Sequence, residues 1–188
     1  MKKLAKKIAA LFFAVSLTVL FAMPAFAATF PNSYYSTSSS NKTALRVKVS
    51  NTSEFLNVYS STIGDQTAIS TWSEEQNKTK QTTQKFVVYR AGDGIVTIRM
   101  YDNLLLAISS SAGNCILRYI PNAALNNIQI SRIHPEKYNG PFYAWTFDVS
   151  SGGSLTATNS PTPIRGGYMV AWQNFTGSNR QIWNVEPW

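Results

Sequence analysis

The chain has 188 residues, with 17 Lys and Arg against 9 Asp and Glu, one His and one Cys. A lone cysteine, Cys115, excludes an internal disulfide, so the fold must hold by packing alone. It falls in the apolar alternation Cys115, Leu117, Tyr119, which reads as a buried, inert thiol.

At the N-terminus, Lys2, Lys3, Lys6 and Lys7 precede an apolar run from Ile8 to Phe21, and Ala25-Phe26-Ala27 supplies small residues for a cleavage site. Residues 1–27 therefore read as a signal peptide. The run is too short for a membrane span. Removing this leader takes away four of the seventeen basic residues and none of the nine acids, which leaves a net charge of +4. That excess is scattered, with no basic run or basic helix, so nucleic acid is not an expected partner.

Residues 28–43 are rich in Ser, Thr, Asn and Tyr without periodicity, and are expected to form a flexible arm. From Leu45 onward the pattern becomes short alternating runs divided by turn residues, the signature of an all-β domain over 44–188.

The domain is built on a threefold repeat, at about 44–93, 94–140 and 141–188. An aromatic recurs at Trp72, Tyr119 and Trp172, and a glutamine at Gln84, Gln129 and Gln181. Each repeat lays out four strands. The first are Leu45/Val47/Val49, Val96/Ile98/Met100 and Tyr143/Trp145/Phe147, each with one buried face. The second are Leu56-Asn57-Val58, Leu106-Ala107-Ile108 and Leu155-Thr156-Ala157; the third carry the aromatics and the fourth the glutamines. Twelve short strands in threefold repetition avoid exposed edges by closing on themselves. Three four-stranded units about a pseudo-threefold axis make a β-trefoil.

The Leu-Asn-Val of the second strand, the aromatic of the third and Gln181-Ile-Trp183 at the end resemble the ricin B-type lectins, whose repeats carry a Gln-x-Trp motif. The likeness spans Thr43 to Trp188. Repeat one departs from the motif with Phe86 for Trp, and repeat two has Gln129-Ile130-Ser131 with no aromatic.

The resemblance implies a carbohydrate site made of an Asp on the second strand, an aromatic after the third, and an Asn or Gln before the fourth. Repeat one offers Asn57, Ser70, Trp72, Thr83 and Gln84. Repeat two offers Ala107, Tyr119 and Asn127. Repeat three offers Thr156, Trp172, Gln173, Asn174 and Asn179. None has the acidic residue, and Ala107 can make no equivalent bond, so repeat one is expected to be the best site and repeat two structural. Gln84 and Gln181, with Phe86 and Trp183, are expected to support core and turns.

Catalysis finds little footing. His134, the one histidine, is expected in a turn before Pro135, as a surface residue rather than a metal ligand or general base. Glu74 and Glu75 are adjacent, and adjacent strand residues face opposite ways. The expected function is a secreted, non-enzymatic lectin without cofactor or metal, binding a galactose-type or xylan-type glycan. The alternatives are a trefoil protease inhibitor using the polar loop Glu74 to Thr83, or the cell-binding subunit of a separate toxin or hydrolase component acting in trans.

Overall fold

The computed structural model describes residues 30–60, 62–76, 81–92, 94–111, 113–120, 133–138, 143–149, 152–162 and 167–188. The expected signal peptide, Asn127, Gln129 and the centre of the Glu74–Thr83 loop lie outside them. Among the described residues there are twelve strands: β1 Leu45–Val49, β2 Glu54–Val58, β3 Ile69–Ser73, β4 Phe86–Gly92, β5 Ile95–Met100, β6 Leu106–Ser111, β7 Asn114–Tyr119, β8 Ile133–Lys137, β9 Ala144–Val149, β10 Gly153–Pro161, β11 Tyr168–Gln173 and β12 Trp183–Pro187.

Their pairing closes. β1 pairs with β4, β4 with β5, β5 with β8, β8 with β9, β9 with β12 and β12 with β1, so six strands form a ring. The hairpins β2–β3, β6–β7 and β10–β11 hang from it and meet one another, with Met169 opposite Ser70, Ala171 opposite Asn114 and Ala68 opposite Ile116. Closure leaves no free ring edge to recruit another chain.

Alternation fills the interior. Leu45, Val47 and Val49 point inward from β1, while Arg46 and Lys48 point away. Trp145 and Trp183 face each other across the β9–β12 pair and are fully buried, and the Trp183 Nε1–H donates to Leu155 O at 2.9 Å. Tyr143 does not join them: β9 starts at Ala144, its inward set is Trp145, Phe147 and Val149, and Tyr143 is exposed.

The first part of the segment 30–43 is docked on the domain, while residues 37–41 are exposed. Phe30 is 3% exposed and sits edge-on to Trp145, with ring centroids 5.0 Å apart. Tyr34 Oη donates to Val185 O, Tyr35 bridges to Val88, and Arg90 both stacks over Tyr35 and bonds Asn32. Its three aromatics carry enough apolar area to offset the ordering of a polar chain.

Two further expectations change. His134 lies within β8, opposite Asp148, rather than in a turn. Gln84 and Gln181 precede the fourth strands, in 3-10 turns at Gln81–Gln84 and Asn179–Gln181. Gly167, with φ +94°, passes so close to β3 that a Cβ would meet Thr71 O at 2.1 Å, which requires glycine where the third hairpin crosses the first.

Candidate functional site

The β2–β3 hairpin has two faces. Leu56, Val58 and Ile69 enter the core, and Phe55, Asn57, Ser70 and Trp72 share the opposite face, with Phe55 paired to Trp72 and Asn57 to Ser70. Trp72 is half-buried and outside the core cluster. The outer face therefore presents an indole beside an amide.

Asn57 is held from three sides. Its Nδ2 donates to Val58 O at 3.0 Å and to Ser70 Oγ at 3.3 Å, and its Oδ1 accepts from Thr83 Oγ1 at 2.8 Å. An amide has two donors and two acceptor positions. One lone pair of Oδ1 is left for an incoming hydroxyl, in an orientation fixed by the other three bonds. Ser70 is buried and acts as support.

Gln84 is buried and ties the loop. Its Nε2 donates to Ser73 O and its Oε1 accepts from the Glu75 N–H, both at 2.9 Å. This closes the ends of the loop after β3 and brings Thr83 back to Asn57. The loop of the inhibitor alternative is thus clamped at its base. Beside it, Arg46 donates to Glu74 at 2.9 Å, forms an ion pair with Glu186 at 2.8 Å and lies over the Phe55 ring. Arg46 is neutralised by these carboxylates, and Lys48, opposite Phe55 in β1, sets its ammonium 5.6 Å from the centre of the same ring.

In repeat three, Gln181 makes the same tie: Nε2 donates to Asn174 O and Thr156 Oγ1, and Oε1 accepts from the Thr176 N–H. Thr156 is buried and also donates to Ser154 O. Trp172 is buried in the core, its Nε1–H on Ser109 O at 3.3 Å. Gln173, Asn174 and Asn179 are exposed. The exposed ring here is Phe175, 53% accessible, which sequence reasoning passed over because it stands in a loop outside the repeating pattern.

Repeat two is filled in. Ala107 takes the place of Asn57 and packs with Ile120 in a small apolar cluster, while Tyr119 is exposed and its N–H donates to Asp65. Among the described residues, no group of three or more His, Cys, Asp or Glu could hold a metal ion, and no helix is long and apolar enough to cross a membrane.

The three hairpins thus share a frame and differ in what they expose. No family model and no curated protein matches the chain. Solved structures do. ThreeFoil, a designed threefold-symmetric protein, matches with a TM-score of 0.58 at 17% identity, over 76% of this chain and 96% of its own. A ricin B-like lectin from Macrolepiota procera, solved with lactose, gives 0.55 at 11% identity over 76% of this chain and 94% of its own. A mosquitocidal holotoxin gives 0.58 at 15% identity over 77% of this chain and 17% of the toxin. The fold of this chain is that of the ricin B-like lectins.

Proposed function

We propose that the chain is a β-trefoil of three four-stranded repeats that works as a secreted, non-enzymatic carbohydrate-binding protein, with its site on the outer face of the first hairpin. The observation that carries this reading is the oriented Asn57 amide beside Trp72. A sugar offers an apolar C–H face and a rim of hydroxyls, and needs a flat ring and a few fixed polar groups in return. Trp72 supplies the ring. Asn57 supplies the acceptor, with Thr83, Ser70 and Gln84 holding it in place.

The pair is neutral, so it lacks the charge-assisted bond that an acidic residue would make, about twice as strong as a neutral one. A single site of this kind binds at around millimolar, or about 4 kcal/mol. The ligand class is a galactose-type or xylan-type glycan, and useful affinity comes from several sites engaging one surface. Repeat three, with Gln173, Asn174, Asn179 and Phe175 exposed, is the second candidate.

The likeness to one part of a larger toxin supports a second reading, in which the chain carries a separate toxin or hydrolase component to a glycan surface. The leader-like N-terminus fits export in either case. The test is a glycan array with insoluble polysaccharides alongside, run on the wild type and on Trp72→Ala. Binding that disappears in Trp72→Ala supports the site. Silence from the wild type removes the lectin reading and leaves a protease panel as the next experiment.

A further inference from the structure

Away from the first hairpin's outer face, the ends of four ring strands gather a second group of basic and aromatic side chains. Lys42 precedes β1, Lys85 precedes β4, Tyr101 follows β5 and Trp188 follows β12. The register brings them together: Leu45 stands opposite both Pro187 and Phe86, and Phe86 opposite Met100. The Tyr101 N–H donates to Lys85 O at 3.0 Å, and the Trp188 N–H to Ala44 O at 2.9 Å.

Both lysines converge on one ring. Lys42 Nζ lies 4.1 Å from the Tyr101 centroid and donates to Tyr101 O at 2.9 Å. Lys85 Nζ lies 5.5 Å from the same centroid and 4.8 Å from that of Trp188. Among the described residues neither ammonium has a carboxylate within 4.0 Å. Asp102, the acid next to Tyr101 in the chain, points to solvent without pairing to either.

Aromatic faces and the Tyr101 carbonyl hold both ammoniums at this end of the ring strands. An anion arriving here meets positive charge whose side chains are already partly ordered, which lowers the cost of binding it. Trp188 stays 38% exposed at the edge, a flat apolar face next to the positive pair. The chemistry of such a niche is one anionic group on a ring with an apolar side.

We propose that Lys42, Lys85, Tyr101 and Trp188 form a second binding site, which takes the sulfate or carboxylate group of an acidic sugar with the sugar ring against Trp188. The proposal rests on the carbohydrate reading in one respect only, that the anion is carried on a sugar. The first hairpin offers no such pair of lysines: Arg46 there is already paired with two glutamates, and a single lysine, Lys48, stands over Phe55.

The test measures the affinity of the full mature chain for dextran sulfate, polygalacturonate and neutral dextran. It compares the wild type with Lys42→Gln/Lys85→Gln, Lys42→Arg/Lys85→Arg, and the charge-matched control Arg118→Gln/Lys137→Gln. Loss of two charge-assisted contacts should weaken binding to at least one acidic polymer about tenfold. The arginine variant should retain it, and the control should lose about threefold or less, as general screening of a basic surface predicts. Which polymer responds tells sulfate from carboxylate.

Equal losses in the control and the double glutamine variant would overturn the proposal, since overall charge would then explain binding. So would an unchanged double variant, or lysine-dependent capture by phosphatidylserine vesicles with no response to either polymer. Trp72→Ala separates the two sites. If neutral glycans fail everywhere while lysine-dependent polymer binding persists in Trp72→Ala, the first-hairpin site falls and the lysine site stands. If neutral glycans bind through Trp72 while no acidic polymer responds to the lysines, the first-hairpin site stands and the lysine site falls.

Discussion

Trp72 and Trp172 stand one register position apart in corresponding hairpins. Leu56 and Leu155 fill the same core place; Leu56 pairs with Thr71, whereas Leu155 pairs with Trp172. Trp172 therefore corresponds to Thr71, and Trp72 to Gln173. The glutamine ties agree, because Gln84 holds the carbonyl of Ser73 and Gln181 that of Asn174, each the residue after the outer-face position. Since strand side chains alternate, this one-residue offset sends one indole outward and the other into the core.

The two tryptophans should accordingly answer differently to truncation. Trp172→Ala removes a side chain from the packed interior and should cost about 3 to 5 kcal/mol of stability. Trp72→Ala should cost about 1 to 2 kcal/mol, in keeping with partial burial. Urea denaturation of both variants checks this, and a larger loss for Trp72 would make it a core residue and move the site.

How far the sequence could be read follows from the same offset. Period-two alternation located the strands, because one face of each is buried and the burial is local in sequence. Spacing alone could not resolve a one-residue shift, since the loops before Gln84 and Gln181 differ in length and absorb it. The docking of Phe30 was equally hidden: its partners Trp145 and Phe147 lie more than a hundred residues away, and nothing in a polar stretch signals them. Asn57 was legible by type, but two of its three internal bonds depend on Ser70 and Thr83 converging in space. Phe175 lies in the loop of repeat three between β11 and the turn at Asn179–Gln181, off the strand alternation, and carries no pattern.

The glutamine ties make a graded stability prediction. Gln181 satisfies Asn174 O, Thr156 Oγ1 and the Thr176 N–H, while Gln84 satisfies Ser73 O and the Glu75 N–H. A leucine in either place fills similar volume and removes those bonds, at about 1 to 3 kcal/mol for each group that water cannot reach. Gln181→Leu should therefore destabilise more than Gln84→Leu, and denaturation midpoints will show the order. Gln84→Leu should also weaken glycan binding, because Thr83 would no longer be held against Asn57.

Phe30 gives a test of where the domain begins. Phe30→Ala opens a gap against Trp145, Phe147, Tyr34 and Tyr35, and should cost about 3 to 5 kcal/mol. A chain starting at Asn41 should lose at least as much. If either is as stable in urea as the chain starting at Ala28, the segment is a passive arm and the domain starts near Leu45.

The alkaline limit of stability should carry the signature of Cys115. Complete burial holds its thiol well above the ordinary value, so the folded chain keeps a proton that the unfolded chain loses from about pH 9 upward. Above that point the unfolded state binds fewer protons, and stability falls as pH rises, by up to about 1.4 kcal/mol per pH unit for this one group. Below it the thiol is neutral in both states and contributes no slope. Tyr34, Tyr35 and Tyr89 are raised chiefly by burial as well and add to the fall from about pH 10. Lys137, lowered by burial, works in the opposite sense. All of these remain in Cys115→Ala, so the difference in slope between the two proteins isolates the thiol. The variant should be less stable at about pH 8, because of the volume lost, yet should decline less steeply toward about pH 10. Parallel slopes in urea midpoints would mean that Cys115 ionises as readily in the folded chain as in the unfolded one, and that its burial is not maintained in solution.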